Sequence, residues 1–353
     1  MHTKKSWREF QTDYLTKKKR KHLIFNAVKR LAVVLSLLLL VTAIGLSAIN
    51  HFTPDRVLPQ SAVSRQDLFV PEAVPRLSQN QLSQIISATR FTRSSQKIHI
   101  VETPENNYTI TTSIDPGLQE YLLSRMDRLK TITRGKPQRI ALVAMEADSG
   151  KIIAMTGFDL DDPDANPCVE ADYPAASIFK IITAAAAVET LGYTPQTQLY
   201  FNGNKYTLYK RQLTETRNKY SYQISFSRAF AESINPVFGK LGQNLLGKET
   251  LESYADAFGF NQAVNADISF FTGSFATNDI QYHLAELGSG FNTDTLISPV
   301  FGAMMTAAVI NSGHVMQPSI VEQVTGTTGD ILYENSISPY KTAIMPETAQ
   351  TMM

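Results

Sequence analysis

Cysteine is almost absent from this sequence, and its scarcity narrows the possible classes of protein. The 353 residues include one cysteine, Cys168, which excludes an internal disulfide framework and a cysteine-rich zinc or iron–sulfur site. Glycine (18) and proline (16) occur at near-average frequencies, which excludes a collagen-like or wholly disordered chain. The six histidines show no His-x-x-x-His spacing, so we predict no metal site, and no pattern predicts a cofactor. The hydrophobic residues, 43% of the chain, are enough to bury a substantial core.

Positive charge is concentrated at the N-terminus. Residues 1–30 carry ten basic and two acidic side chains, whereas the remaining residues carry 23 basic and 30 acidic ones. A basic run of this kind is typical of a solvated tail or a nucleic-acid-binding segment. The next segment, Leu31–Ile49, argues against nucleic acid. Its uncharged, apolar residues would span roughly 28 Å as a helix, which is close to the thickness of a bilayer's hydrocarbon core.

The basic run and the apolar segment together predict an uncleaved signal anchor. The positive-inside rule places the N-terminus in the cytoplasm and residues 50–353 beyond the membrane. A cleaved signal peptide is the alternative, although the apolar run exceeds the usual length of about 7–15 residues. The residues up to 110 are polar with scattered prolines, as in a stalk. We therefore predict four segments: a basic cytoplasmic tail (1–30), a transmembrane signal anchor (31–49), an extracytoplasmic stalk (50–110) and a folded domain (111–353).

Turn residues and apolar runs predict the elements of the folded domain. The pairs Asp115-Pro116 and Ser298-Pro299 each have the chemistry of a helix N-cap followed by a first helical position. Two partly alternating apolar runs, 139–146 and 151–157, flank turn residues and predict a β-hairpin. Strands near both ends with helices between them predict an α+β fold. The other predicted helices are 177–191, 225–232, 236–246, 249–258 and 299–311, and the other strands are 319–325 and 330–334.

A serine and a lysine lie three positions apart in the segment Ser177-Ile178-Phe179-Lys180. On a helix this spacing puts both side chains on one face, within reach of each other. Serine needs a base to take its proton, and a lysine buried among apolar residues can have its pKa lowered enough to act as one. The positive end of the helix dipole would further disfavour the ammonium. The pattern also occurs by chance, and serine is a common N-cap, so a structural role stays open.

A second polar pair, Ser233 and Asn235, lies between two predicted helices. These residues could supply a second hydroxyl for proton transfer and an amide that binds a substrate carbonyl. The alternative is structural, with Asn235 as an N-cap and Pro236 as the first helical residue.

In their order and spacing, the two motifs resemble those of the penicillin-binding protein transpeptidase domain, a relative of the acyl-serine β-lactamases. Four further blocks carry the resemblance: Thr112–Gln119, the predicted hairpin, the segment Tyr173–Lys180 and the segment Gly290–Pro318. The resemblance implies a β-lactamase/transpeptidase-like fold, with an antiparallel sheet and a helical subdomain. It also implies a protein of the bacterial cytoplasmic (inner) membrane.

The resemblance further implies a role for each motif residue. Ser177 would attack the D-Ala-D-Ala carbonyl of a peptidoglycan stem peptide, with Lys180 as its base, and form an acyl-enzyme. Ser233 would pass a proton to the leaving D-Ala, and Asn235 would orient the substrate amide and Lys180. A neighbouring stem-peptide amine would accept the acyl group, and β-lactams would acylate the same serine. The implied partners are stem peptides, β-lactams, the membrane and proteins of a wall-synthesis complex, but not nucleic acid.

The third motif of this family, Lys-Thr-Gly, is missing from the sequence. Lys130-Thr131 and Lys341-Thr342 are not followed by glycine. We do not assign the second pair to the motif, because residues 345–349 resemble the helix that precedes the Lys-Thr-Gly strand. We therefore expect a domain that is incomplete at its C-terminus, without its closing strands. Three functions stay open: a D,D-transpeptidase or carboxypeptidase, an inactive scaffold in a wall-synthesis complex, and a β-lactam sensor or β-lactamase relative.

Overall fold

Most of the chain has a described structure. The predicted cytoplasmic tail, the signal anchor and residues 50–75 of the stalk lie outside the described residues. Within the part that is described, no helix combines the length and the hydropathy that a membrane crossing needs. The described residues belong to one structural unit, Glu72–Met353. The computed structural model describes residues 76–87, 89, 91–103 and 106–353.

The described residues form helices and mainly antiparallel strands, which matches the predicted α+β class. The α-helices are α1 (Gln79–Ser87), α2 (Pro116–Lys130), α3 (Lys180–Leu191), α4 (Phe226–Ala231), α5 (Asn235–Lys240), α6 (Gly247–Phe258), α7 (Gln281–Ser289), α8 (Pro299–Ile310) and α9 (Pro346–Met352). The strands are β1 (Ile98–Glu102), β2 (Asn107–Thr112), β3 (Arg139–Met145), β4 (Ile152–Asp159), β5 (Tyr173–Pro174), β6 (Gln198–Phe201), β7 (Tyr222–Ser225), β8 (Leu296–Ile297), β9 (His314–Met316), β10 (Val321–Thr325), β11 (Ile331–Glu334) and β12 (Pro339–Thr342).

Four antiparallel strands form a sheet in the order β1-β2-β10-β11. Strand β2 pairs with β10 so that Ile110 lies opposite Val324. Both side chains are buried, and they belong to one apolar cluster with Leu82 of α1. Residues 98–102 and 107–110, which we predicted to be part of a stalk, therefore belong to strands of this sheet. Strand β1 joins the sheet through β2, and β2 in turn pairs with β10, which lies more than 200 positions later in the chain.

A buried serine hydroxyl connects distant parts of this domain. Oγ of Ser113 lies 2.8 Å from the carbonyl oxygen of Ile152 and 3.2 Å from that of Ile320. Ser113 and Ile320 are 207 positions apart in the chain. Buried polar groups need hydrogen-bond partners, so these contacts fix the start of β4 and the approach to β10 at one point.

The predicted hairpin is confirmed as β3 and β4, with Val143 opposite Met155. Its turn ends at Gly150, which has a φ of 74°. A Cβ at this position would lie 2.3 Å from the carbonyl oxygen of Gln317. Only glycine fits this combination of left-handed backbone and close approach.

Two predicted helix N-caps are confirmed. Oδ1 of Asp115 accepts the N–H of Leu118 at 2.8 Å, and Oγ of Ser298 accepts the N–H of Phe301 at 3.2 Å. Such a cap typically contributes about 1 kcal/mol, and here the two caps fix where α2 and α8 begin. Helix α8 connects the two main apolar cores. Val300 packs in the core that contains Ile110 and Val324 of the four-stranded sheet, and Phe301 packs in the core of the helical subdomain.

Helix α3 is central to the helical subdomain. Its residues Ala184–Ala187 are at most 2% exposed, since their small side chains let neighbouring helices approach closely. Just before the helix, the ring of Phe179 packs edge-on against that of Phe260, with 5.6 Å between centroids. Phe260 packs in the same way against Phe301 at 5.0 Å. Such aromatic pairs are favourable beyond their buried area, and they hold the turn that carries the predicted nucleophile.

Strand β12 contains the Lys-Thr pair that we did not assign to the third motif. It pairs antiparallel with β9, and the ammonium of Lys341 donates to the carbonyl of Asp256 at 2.8 Å and to Oε1 of Gln262 at 2.7 Å. These bonds direct the side chain towards the end of α6, and they involve none of the four predicted site residues. Helix α9 follows at the position where the sequence predicts a helix.

Replacement of Leu82 by alanine tests whether α1 belongs to the folded domain. Leu82 is fully buried, so we expect Leu82→Ala to lower the free energy of unfolding by about 2–5 kcal/mol. Equilibrium unfolding in urea measures this difference. The control is Ile100→Ala on β1, where the side chain is 73% exposed and the expected change is about 0.5 kcal/mol or less. Similar small changes in both variants would contradict the assignment.

Candidate active site

Ser177 lies in a tight turn at the start of helix α3. The sequence predicts one α-helix from this residue, but Ala176–Phe179 form a 3₁₀ turn and the α-helix begins at Lys180. Strand β5 leads into the turn and is held by β8, where Tyr173 pairs with Ile297. The turn leaves Ser177 exposed to solvent. The predicted nucleophile is therefore accessible, whereas Ala175, Phe179 and Lys180 close to it in the chain are buried.

Lys180 is buried and in contact with Ser177. The residue is 1% exposed. Its Nζ lies 2.8 Å from Oγ of Ser177, 2.9 Å from Oδ1 of Asn235 and 2.6 Å from the carbonyl oxygen of Ser289. An ammonium has three protons, and these three acceptors can bind all of them. The predicted contact between the serine and the lysine is present.

Burial controls the protonation of this lysine. Desolvation lowers the pKa of Lys180 from 10.5 to about 8. Its three hydrogen-bond acceptors are all uncharged groups, and the ring of Phe238 lies 5.7 Å from Nζ. A lysine with this pKa keeps a share of neutral amine near neutral pH. That amine is placed to accept the proton of Ser177.

Ser233 brings a second hydroxyl to the nucleophile. Its Oγ donates to Oγ of Ser177 at 2.8 Å. Its φ of 54° is left-handed, a conformation that costs about 1–3 kcal/mol for a residue other than glycine. The bend between α4 and α5 is held by the N–H groups of Ser233 and Ile234, which donate to the carbonyls of Phe230 and Ala229. The strained residue is therefore one that contacts the nucleophile directly.

Asn235 does not cap a helix. Ile234 occupies the N-cap, and Asn235 is the first residue of α5. Its Oδ1 accepts from Lys180, while its Nδ2 donates to the carbonyl of Tyr206 at 3.0 Å. Its backbone N–H donates to the carbonyl of Lys205 at 2.8 Å. The capping alternative is therefore wrong, and the amide is held with its oxygen towards the lysine.

Two groups at the site were not predicted. The carbonyl of Ser289 accepts from the lysine, and the carbonyl of Tyr206 accepts from the asparagine amide. Both are backbone groups, so no side-chain pattern in the sequence indicates them. The available signal is Gly290, which has a φ of 65° and where a Cβ would lie 1.8 Å from the carbonyl oxygen of Ala176. Only glycine lets the end of α7 approach the nucleophile turn so closely.

The described residues give little support for metal or thiol chemistry at this site. They contain no group of three or more histidine, cysteine, aspartate or glutamate side chains placed to hold a metal ion. Cys168 is buried, and desolvation raises the pKa of its thiol to about 12, so the thiol is inert near neutral pH. The reactive arrangement is a serine between a desolvated lysine and a second hydroxyl.

A family model that contains all four predicted site residues matches this chain. The model is described as the penicillin binding protein transpeptidase domain, and it matches residues 140–353. The chain belongs to this family. The predicted resemblance is therefore confirmed, and the matched region covers the elements from β3 to α9.

Similar proteins to this transpeptidase domain are found in several bacteria. Peptidoglycan D,D-transpeptidase PbpA of Mycolicibacterium smegmatis is 27% identical over 278 residues, which cover 69% of this chain and 54% of that protein. Stage V sporulation protein D of Bacillus subtilis is 24% identical over 261 residues, which cover 70% of this chain and 40% of that protein. The chain therefore spans about half the length of these relatives, or less.

Solved structures share the fold of the transpeptidase domain. Penicillin-binding protein A from M. tuberculosis, as its imipenem acyl-enzyme complex, matches with a TM-score of 0.57 at 23% identity, covering 69% of this chain and 61% of that one. The D,D-transpeptidase domain of a peptidoglycan glycosyltransferase from Eggerthella lenta matches with a TM-score of 0.57 at 22% identity, covering 69% and 64%. These matches establish the fold.

The buried lysine should make the stability of the transpeptidase domain depend on pH. The pKa of Lys180 is about 8 in the folded state and 10.5 when the residue is solvated. Between these values the unfolded state binds the extra proton, so the free energy of unfolding rises with pH. We expect wild type to gain stability relative to Lys180→Met across this window, and to show a constant difference at lower pH. Urea unfolding of both proteins at about pH 7 and pH 10 measures the effect, and an unchanged difference would contradict the lowered pKa.

Proposed function

We propose that this protein is a penicillin-binding D,D-transpeptidase that forms an acyl-enzyme at Ser177 during peptidoglycan synthesis. The observation that carries the proposal is that Nζ of Lys180 and Oγ of Ser233 both lie 2.8 Å from Oγ of Ser177. A serine in contact with a desolvated base is an activated nucleophile. The name of the M. smegmatis relative and the acyl-enzyme complex of the M. tuberculosis protein support the same chemistry.

The proposed first half-reaction acylates the serine. Oγ of Ser177 attacks the carbonyl carbon of the penultimate D-alanine of a stem peptide, and neutral Lys180 takes the hydroxyl proton as the C–O bond forms. The tetrahedral intermediate then breaks the C–N bond to the terminal D-alanine. Ser233 donates a proton to that amine and regains one from the lysine. The products are an ester on Ser177 and free D-alanine.

The proposed second half-reaction transfers the acyl group. The amine of a neighbouring stem peptide attacks the ester carbonyl and forms the new C–N bond, while neutral Lys180 takes the proton that the amine loses. Lys180 returns this proton to Oγ of Ser177 as the ester C–O bond breaks. Asn235 keeps Lys180 oriented through both steps, since its amide is itself fixed by the Tyr206 carbonyl. The backbone N–H of Ser177 would supply one donor to the oxyanion of each tetrahedral intermediate.

One observation favours a second candidate function, a non-catalytic scaffold in wall synthesis. The 353 residues contain no Lys-Thr-Gly. The resemblance implies that, in this family, the strand that carries Lys-Thr-Gly binds the substrate carboxylate and supplies a second oxyanion donor. Loss of one such donor typically lowers a rate by about 10²–10³. The contacts preserved around Ser177 nevertheless favour the enzyme, because a scaffold has no need of a buried lysine beside an exposed serine.

We further propose that residues 31–49 anchor the protein in the cytoplasmic membrane, with its N-terminus in the cytoplasm. The proposal is supported by the uncharged, apolar composition of that segment and by the ten basic side chains that precede it. The domain would then lie outside the membrane, on the side of the wall polymer that it crosslinks.

Labelling with a fluorescent penicillin tests the proposed acylation. We expect the full chain to take up one label per molecule, because Ser177 attacks the β-lactam carbonyl. Ser177→Ala should abolish the label. Lys180→Ala should slow labelling by roughly 10²–10⁴-fold, since it removes the general base. Gel fluorescence gives the rates, and mass spectrometry of the labelled peptide gives the site.

Ser227→Ala is the matched control for this experiment. The hydroxyl of Ser227 lies 3.2 Å from that of Ser225, and its loss should leave labelling unchanged. Circular dichroism establishes that each variant is folded. A folded wild-type chain that takes up no label would sink the enzymatic proposal and favour the scaffold.

A further inference from the structure

Helix α7 ends against the catalytic lysine. Ser289 is the last residue of the helix, and Gly290 follows it with a left-handed backbone. The carbonyl oxygen of Ser289 accepts from Nζ of Lys180 at 2.6 Å. The last carbonyls of a helix form the negative end of its dipole, where a cation is favoured. Part of the environment of the lysine is therefore a helix terminus.

Thr183 binds the end of α7 at the carbonyl of Gly288, the residue before Ser289. It lies three positions after Lys180 on α3 and is fully buried. Its Oγ1 donates to the carbonyl oxygen of Gly288 at 2.7 Å. The last turn of a helix leaves its carbonyls without partners inside the helix, so both carbonyls need donors from elsewhere. Two side chains on one face of α3 supply them.

The end of α7 is also confined by close packing. A Cβ at Gly288 would lie 2.8 Å from Cα of Gly242, and a Cβ at Gly290 would lie 1.8 Å from the carbonyl oxygen of Ala176. These contacts set how near α7 lies to its neighbours. The last two carbonyls of the helix are in addition held by hydrogen bonds from Thr183 and Lys180.

We infer that Thr183 is a positioning residue of the acylation site, which fixes the Ser289 carbonyl so that it holds the amino group of Lys180 against Ser177. The inference rests on the proposed acyl transfer. Thr183 acts through the end of α7 and not on the substrate itself.

Loss of the Thr183 hydroxyl has a defined electrostatic consequence. The carbonyl of Gly288 would lose its donor, and the last turn of α7 would no longer be held in one orientation. The ammonium of Lys180 would then lose part of the acceptor that Ser289 provides. Since burial already disfavours the ammonium, the pKa of the lysine should fall further.

Within the described residues, no titratable side chain accepts a hydrogen bond from the amino group of Lys180. The three acceptors of Lys180 are a hydroxyl, an amide and a carbonyl, so no ionised side chain hydrogen-bonds to it. Glu232 is paired with Lys205 and Arg228, and Lys240 donates to the carbonyl of Tyr200. The titratable groups on or next to the elements that contact Lys180 are Glu189 on α3, Glu232 and Lys240 at the two ends of the α5 segment, and Tyr282, His283 and Glu286 on α7.

The pH dependence of penicillin acylation in the full chain tests the inference. Thr183→Val keeps the shape of the side chain and removes the hydroxyl. We expect its maximal acylation rate to fall by roughly tenfold or more, as for a misplaced catalytic group, and the midpoint of its pH profile to move to lower pH. Thr183→Ser restores the hydroxyl and should return both quantities towards wild type.

Thr190→Val is the matched control. Thr190 lies on the same helix, but its hydroxyl donates to the carbonyl of Ala186 within that helix at 2.6 Å. This variant should change neither the rate nor the midpoint. A slower Thr183→Val with an unchanged midpoint would assign Thr183 a purely structural role and overturn the inference.

An NMR titration separates this inference from the proposed function. In the full chain with ¹³C at the ε carbon of lysine, the Lys180 signal is assigned by its absence from Lys180→Met. Its midpoint can be measured whether or not the protein reacts with penicillin. A lower midpoint in Thr183→Val than in wild type supports the inference even for an inactive chain. Equal midpoints overturn it even for an active one.

Discussion

The buried amino group of Lys180 is the contact on which the rest of the site depends. Its acceptors, Ser177, Asn235 and Ser289, come from the start of α3, the start of α5 and the end of α7. Ser177 is three positions away and is placed locally, but Asn235 and Ser289 reach the amino group only when these parts of the chain pack together. Removal of an ammonium from water is costly, and the surrounding apolar packing must offset that cost. The alanine-rich helix α3 allows this packing, and the lysine is desolvated because the helices meet there.

Local signals in the sequence predicted those features that depend on near neighbours. Asp115 and Ser298 cap helices, and Gly150 ends a hairpin turn, because caps and turns are decided within a few residues. The contact between Ser177 and Lys180 follows from helical spacing in the same way. The contact between Ser177 and Ser233 spans 56 positions, and the family resemblance rather than any periodicity indicated it.

What the sequence could not predict depends on tertiary packing. Strand β1 exposes Ile98 and Ile100 to solvent, so its pattern gives no indication of a sheet partner, and the segment resembled a stalk. The Asn235-Pro236 pair fits a helix start equally well with or without a capping side chain, and only the position of Lys180 decides between them. The four predicted site residues are brought together by contacts between the start of α3 and the bend that leads into α5.

The pairing of β2 with β10 has a consequence for how the chain folds. Ser113 and Ile320 meet across 207 positions, so a chain that emerges N-terminus first cannot complete this sheet until nearly all of the described domain has been synthesised. Contacts of such high sequence separation slow folding far more than they weaken the folded state. Until β10 has been synthesised, Ile110 of β2 lacks the strand that pairs beside it in the folded domain. The hairpin of β1 and β2 therefore stays an incomplete sheet during synthesis, and strand β10 completes it much later.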